Sequence, residues 1–165
     1  MKHRLNGRQV LAALVLCMAQ SVAAQRPTLA SLLQQTSCAD TICMQTYADS
    51  LHFCKRKTGD ANNHLWFSCE HVRRNSMNVL EGTGLMFFSV GRGDRGYVIQ
   101  TCDAAYAKAL TEELNELGFK ETRSFPTGSV YASGKHKGLE VIRTSKTIPM
   151  GDQEATSWGF TLAIK

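Results

Sequence analysis

Residues 1–24 have the pattern of an export signal, which decides the chemistry available to the cysteines that follow. Three basic residues come first, an apolar run extends from Val10 to Ala19, and Val22-Ala23-Ala24 provides the small residues of a cleavage site before Gln25. Exported chains meet oxidising conditions, in which cysteines form disulfides. We therefore expect residues 1–24 to be removed and residues 25–165 to form one periplasmic or secreted domain with five of the six cysteines.

The charge of the exported part argues against nucleic acid as a partner. The whole chain has a net charge of +5, but Lys2, Arg4 and Arg8 lie in the signal, which leaves 5 − 3 = +2. So small an excess gives no general affinity for nucleic acids or anionic membranes. The apolar run is shorter than the roughly 20 residues that cross a bilayer. We expect no transmembrane segment, and a partner that is another protein.

The spacing of apolar residues predicts three helices. A short helix begins after Thr28, a second runs over residues 39–51, and a third runs over residues 104–117. The third helix has a clear apolar face, and its opposite face carries acidic residues that we expect to be solvated: Glu112, Glu113 and Glu116.

The remaining segments predict a largely antiparallel sheet. The last of them, Thr156 to Ile164, alternates apolar and polar residues and so indicates a half-buried strand. Residues 146–155, with Pro149 and Gly151, are expected to form a loop. We expect strands over residues 65–69, 85–90, 97–101, 119–125, 129–133, 139–144 and 156–164. The fold class is therefore a single α+β domain, with the two main helices packed on one face of the sheet.

Two stretches of the chain hint at an internal duplication. Thr36-Ser37-Cys38 opens a predicted helix that ends in His52-Phe53, and Thr101-Cys102-Asp103 opens another that ends in Gly118-Phe119-Lys120. Both helices lead into strands. The match rests on a handful of residues, so duplication and coincidence stay open as alternatives.

His52-x-Cys54 and Cys69-x-His71 are mirror images of one another. If the chain turns between them, an unbulged hairpin places Cys54 opposite Cys69 and His52 opposite His71, with all four side chains on one face. This predicts a Cys54–Cys69 disulfide that staples the domain and contributes about 3 kcal/mol. The alternatives are a Cys2His2 site suited to zinc or copper, or weak metal binding by the two histidines beside the disulfide. We expect no cofactor.

Three further cysteines remain in the exported part. Cys38 can pair with Cys43 if Cys38 precedes its helix, or with Cys102, which would join two helix starts. A thiol at Cys102 would lie near a helix N-terminus, where the dipole favours the thiolate. Cys102 is therefore a candidate nucleophile, with His52, His71 or His136 as its base; the alternative is a small buried residue without reactivity.

Turns and basic clusters suggest a contact surface. Arg92-Gly93-Asp94 lies at a predicted hairpin tip, although these are also ordinary turn residues. The chain also has three small basic clusters: Lys55-Arg56-Lys57, Arg73-Arg74 and Lys135-His136-Lys137. If the hairpin and the last of these loops lie together, the clusters form a patch for an acidic partner; the alternative is ordinary solvated loop charge. The candidate contact segments are Thr58–His64, Gly91–Gly96 and Lys146–Ala155, and the candidate contact residues are Arg92, Asp94, Arg95, Lys135 and Lys137.

The chain lacks Gly-x-Ser-x-Gly, His-Glu-x-x-His and Cys-x-x-Cys motifs. We therefore expect a non-enzymatic exported binding protein, such as an inhibitor or immunity-type protein, that acts through its loops and hairpin tips. The alternatives are a thiol-dependent enzyme or redox protein that uses Cys102, and weak transition-metal binding through His52 and His71.

Overall fold

The computed structural model describes residues 26–38, 40–56, 63–68, 73–74, 80–81, 83–90, 94–150 and 153–164. Its helices are α1 (Leu29–Gln34), a 3-10 helix (Gln35–Ser37), α2 (Thr41–Ser50) and α3 (Ala104–Glu116). Its strands are β1 (Phe53–Arg56), β2 (Asn63–Ser68), β3 (Arg73–Arg74), β4 (Leu80–Glu81), β5 (Thr83–Val90), β6 (Asp94–Thr101), β7 (Lys120–Phe125), β8 (Gly128–Ala132), β9 (Leu139–Met150) and β10 (Gln153–Ile164). The predicted α+β class is confirmed. Within the described ranges, no helix has the length and apolar character needed to cross a membrane.

Eight strands form one antiparallel sheet in the order β1-β2-β5-β6-β10-β9-β8-β7, and β3 and β4 pair separately. The predicted antiparallel sheet is therefore confirmed. β1, β2, β5 and β6 follow one another across one half of the sheet, while β7, β8, β9 and β10 do so across the other half. The two halves meet where β6 pairs with β10.

The two long helices begin and end in the same way. Each has an aspartate N-cap whose carboxylate accepts a hydrogen bond from a backbone N–H three residues on: Asp40 at α2, over 2.9 Å, and Asp103 at α3, over 3.0 Å. Beyond their C-caps the chain turns through positive φ, at His52 (56°) and at Gly118 (80°). A phenylalanine that is almost fully buried, Phe53 or Phe119, then leads into the strands.

The strand registers repeat as well, so the chain consists of two helix-plus-four-strand units. When Phe53 is matched to Phe119, neighbouring strands of the first unit pair in the same register as the corresponding strands of the second. The match extends as far as the bulge in β7. Val98 lies opposite its own counterpart Thr161, which marks a pseudo-two-fold axis between β6 and β10. Residue pairs that correspond are Trp66 and Tyr131, Leu85 and Val141, Phe87 and Arg143, Arg95 and Trp158, Gly96 and Gly159, Tyr97 and Phe160, and Ile99 and Leu162. This extends the hint of duplication to the whole length of both units.

One face of the sheet, the inner face, carries the strand residues of the core. The register places all of them on the same side of their strands: Phe53, Trp66, Leu85, Phe87, Tyr97, Ile99, Tyr131, Val141, Phe160 and Leu162. Buried residues of α1, α2 and α3 join the same cluster. The two units therefore share a single hydrophobic core.

The Lys146–Ala155 segment is not the predicted loop. β9 and β10 pair along their whole length, whereas β8 stops at the level of Thr144 and β6 at that of Trp158. Residues 145–150 and 153–157 thus form a two-stranded arm that extends past the sheet. Pro149 is tolerated because a strand without an outer neighbour can lack one N–H donor. Proline and glycine suggested a loop here, but the pairing of two strands decides the conformation.

A disulfide joins Cys38 to Cys43, with their Cα atoms 5.7 Å apart. Cys38 has extended backbone angles (φ −61°, ψ 114°) and precedes the start of α2 at Thr41. This is the condition under which the two cysteines were expected to be able to pair. The alternative Cys38–Cys102 pairing is wrong.

The segment before α1 is bound along α3. The Glu113 carboxylate accepts hydrogen bonds from the backbone N–H groups of Leu29 and Ala30, each over 2.9 Å. The hydroxyl of Tyr106 donates to the carbonyl of Pro27, and Arg26 forms a 2.6 Å ion pair with Asp103. Glu113 is therefore not the solvated residue that the sequence predicted, because it satisfies the open donors at the start of α1.

Candidate functional site

Three connections leave the sheet at the same end. At this end, which we call the turn end, the chain passes from β1 to β2, from β5 to β6 and from β8 to β9. One row of cross-strand neighbours marks it. The row consists of Phe88, Gly96, Ala163, Glu140, Ala132 and Lys120. β6 and β8 are three strand positions apart, or about 14 Å, and β2 and β8 are five positions apart, or about 24 Å. The described ends of two predicted contact segments, residues 63–64 and 94–96, thus lie along the same end of the sheet as the predicted basic loop.

The basic loop, residues 133–138, is held in place by the end of α3. The ring of His136 stacks on that of Phe119, with centroids 5.4 Å apart and planes 5° apart. The Ser133 hydroxyl accepts a hydrogen bond from the backbone N–H of Lys135, and His136 accepts one through its carbonyl from Leu139. Lys135 and Lys137 are exposed. Two cations are therefore displayed on a loop whose backbone is held by these contacts.

The hairpin tip contributes less than the sequence predicted. Arg92 lies outside the described residues, and Asp94 begins β6 with a side chain that the structure does not describe. Arg95 is half-buried on the inner face and donates a hydrogen bond of 3.2 Å to the carbonyl of Thr36. Arg95 therefore anchors the 3-10 helix, so we do not count it as a freely displayed contact residue.

Lys120 is a residue of the turn end that the sequence did not single out. It lies opposite Ala132, next to the basic loop, and is exposed. A lysine is ordinary on an exposed edge strand, where charged residues prevent unwanted pairing, so its charge alone did not indicate a site. Its position directly after Gly118-Phe119 is the one signal that links it to the end of α3.

The third predicted contact segment, Lys146–Ala155, lies at the opposite end of the sheet. It forms the arm, in which Lys146 is exposed and pairs with Ser157. The two turn-end segments and the arm do not form one surface, because β9 and β10 carry the arm away from the turn end.

The histidine–cysteine pattern does not have the predicted register. Cys54 lies opposite Phe67, so its direct opposition to Cys69 is wrong. His52 lies before β1, at the positive-φ residue that ends α2, and so does not follow the alternation of the strand. Cys54 is disulfide-bonded, while Cys69 and His71 lie outside the described residues, so the Cys54–Cys69 pairing stays a prediction. Within the described ranges no cluster of three or more His, Cys, Asp or Glu residues is placed to hold a metal. The hairpin register that suggested metal binding by His52 and His71 is not the one observed.

Cys102 is half-buried between β6 and the N-cap of α3. The Asp103 carboxylate occupies that helix start: a hydrogen bond from the backbone of Tyr106, followed by the contact with Arg26, lowers the pKa of Asp103. The Asp103 carboxylate, which caps α3 and pairs with Arg26, therefore already occupies the N-terminal end of that helix.

Neither described histidine is placed as a base for Cys102. His136 stacks at the far end of α3, whose 13 residues span about 20 Å. His52 lies before β1, three strand positions from β6, or about 14 Å. A general base must lie within hydrogen-bond reach of its proton. His136 and His52 are therefore wrong as bases, and His71 lies outside the described residues.

Comparison with protein families, with curated proteins and with solved structures gave no match to this chain.

Proposed function

We propose that this chain is an exported, non-enzymatic binding protein that recognises an acidic surface of another protein through the turn end of its sheet. The observation that carries the proposal is a group of three exposed lysines at the turn end: Lys120 at the start of β7, and Lys135 and Lys137 on the basic loop. Exposed cations on an ordered loop favour an acidic partner by charge complementarity. An inhibitor or immunity-type role fits a small scaffold that presents loops.

Three further predictions belong to this proposal. Removal of residues 1–24 and a periplasmic or secreted location are supported by the Cys38–Cys43 disulfide, because such bonds persist in oxidising compartments. A Cys54–Cys69 pairing would staple β1 to the segment after β2. Packing of the two main helices on the inner face, as expected from the sequence, leaves the turn end available to a partner.

Charge reversal at the turn end tests the proposal. The mature chain is passed over an immobilised polyglutamate peptide at low and at physiological salt, and the variant Lys135→Glu/Lys137→Glu is compared with the control Lys108→Glu/Lys146→Glu. Both variants change the net charge equally, but the control residues are exposed on α3 and on the arm. We expect the turn-end variant to bind at least about tenfold more weakly and the control to bind like the natural chain.

Two results would contradict the proposal. Equal loss in both variants would mean that only the net charge matters. Tighter binding of the natural chain to a DNA duplex than to polyglutamate at the same salt concentration would point to nucleic acid as the partner.

A further inference from the structure

Comparison of the two units reveals one substitution of unusual chemistry. Phe87 in the first unit is 3 % exposed and packs on Tyr97, with ring centroids 5.7 Å apart. Its counterpart in the second unit is Arg143, which lies opposite the fully buried Phe160. An arginine therefore occupies a position at which the repeated fold accepts a core aromatic residue.

The side chain of Arg143 is half-buried, and within the described ranges its buried Nε has no hydrogen-bond acceptor. The ion pairs formed among the described residues do not include Arg143. A buried N–H donor without an acceptor costs free energy, and more so when it belongs to a cation. The missing group is an acceptor with negative charge, and a carboxylate offers two oxygens in the geometry that a guanidinium prefers.

The neighbours of Arg143 on the inner face suit such a group. Ser129 lies directly opposite on β8, and Ser145 lies two residues along β9. Trp158 lies opposite Ser145 and hence diagonal to Arg143, at a distance that long side chains bridge. The register therefore places two hydroxyl donors and a half-buried indole beside Arg143 on the inner face, a combination that suits a carboxylate and the apolar part of the chain that bears it.

The first unit shows how the fold uses the corresponding position. There the 3-10 helix lies against β6: the carbonyl of Gln35 accepts a hydrogen bond from Tyr97, and that of Thr36 accepts one from Arg95. Phe160 and Trp158 correspond to those two donors. In the second unit only residues 102–103 separate β6 from α3, so this unit has no segment equivalent to α1 and the 3-10 helix.

We propose that Arg143, with Ser129, Ser145 and Trp158, binds a carboxylate carried by a short segment of a partner protein. The segment lies over Arg143, Ser145 and Trp158, next to the position that corresponds to the 3-10 helix of the first unit; Phe160 at that position is already fully buried by the chain itself. Arg143 supplies the charged hydrogen bonds, the serines complete the donor set, and Trp158 packs against the apolar part of the segment. This site lies on the inner face, apart from the turn end, and does not depend on the function proposed for that end.

Binding of a model carboxylate tests the site. The mature chain, labelled with 15N, is titrated with the peptide N-acetyl-Ala-Leu-Phe as its free acid and as its C-terminal amide, while the arginine Nε–Hε signals and tryptophan fluorescence are followed. We expect saturable binding of the acid, with a shift of the Arg143 Nε–Hε signal. Binding of the amide should be at least about tenfold weaker, because the charged hydrogen bonds are lost.

Matched variants locate the effect. Arg143→Gln should abolish binding of the acid, whereas Arg123→Gln, at an exposed position on β7, should leave it unchanged. If Arg143→Gln does not fold, Ser145→Ala, at an exposed position, should still weaken binding severalfold. The turn-end variant Lys135→Glu/Lys137→Glu should bind the acid as the natural chain does, which separates this site from the proposed function.

Three results would overturn the assignment. The first is no shift of the Arg143 signal at millimolar acid, and the second is equal binding of acid and amide. The third is a larger shift with inorganic phosphate than with the peptide acid at equal concentration, which would assign the site to phosphate.

Discussion

Individual side chains determine how the segment before α1 is held. Glu113 belongs to a row of acidic residues on α3 that resembles a solvated helix face, yet its carboxylate accepts from two backbone N–H groups of α1. Helical periodicity shows which residues share a face, but not which of them meet a second helix. The role of Glu113 therefore depends on contacts more than eighty residues apart in the chain.

Glu113→Gln should destabilise a chain of residues 25–165 by about 1–3 kcal/mol, measured by urea denaturation. The amide keeps one acceptor oxygen but turns an NH2 group towards an N–H donor. Glu112→Gln is the matched control, because Glu112 is exposed and lies 3.6 Å from Lys108 in a surface pair of little value. Equal effects of the two substitutions would show that the hydrogen bonds accepted by Glu113 from α1 do not contribute to the free energy of unfolding.

At the scale of the elements, the sequence anticipated the start of α2 but missed the arm. The spacing allowed Cys38 to pair with Cys43 if the helix begins after Cys38, and left Cys102 open as the other partner. The aspartate N-cap at Asp40 provides that helix start, and the disulfide joins Cys38 to Cys43. The arm was missed because Pro149 and Gly151 are typical of loops. Cross-strand pairing of residues 139–150 with 153–164 outweighs this local preference.

Replacing both cysteines, Cys38→Ser/Cys43→Ser, should lower the free energy of unfolding by about 2 kcal/mol, because the disulfide closes only a short loop. The double variant is needed, since a single replacement leaves a thiol that can pair elsewhere. Urea denaturation without reductant keeps other disulfides intact. An unchanged midpoint would mean that the bond does not restrict the unfolded chain.

At the scale of the whole molecule, two similar units share one core. Each unit ends in a strand, β6 or β10, whose pairing partner belongs to the other unit. The buried residues of both units and of α1 form one cluster. Either unit alone would leave the edge of β6 or β10 unpaired and would expose the apolar surface that the other unit now covers.

A chain of residues 25–165 should therefore unfold in a single cooperative transition, followed by circular dichroism with urea. Fragments 25–101 and 102–165, expressed separately under oxidising conditions, should lack that transition, because each leaves exposed the apolar surface and the strand edge that the other buries. A fragment that unfolds cooperatively by itself would show that the units are independent domains.

The sequence by itself determined the features that depend on neighbours in the chain. Apolar spacing placed α2 and α3, the alternation after Thr156 placed most of β10, and the repeated helix ends at His52-Phe53 and Gly118-Phe119 pointed to two units. These features follow from periodicity and from local backbone preference.

Only the tertiary structure decided which distant segments meet. It placed Cys54 opposite Phe67, separated Cys102 from His136 by the length of α3, and brought the basic loop to the same end of the sheet as the hairpin of Arg92. It also placed Arg143 where the first unit has Phe87. Strand register and helix docking result from contacts across the whole core, and a local pattern does not specify them because several registers satisfy the same alternation.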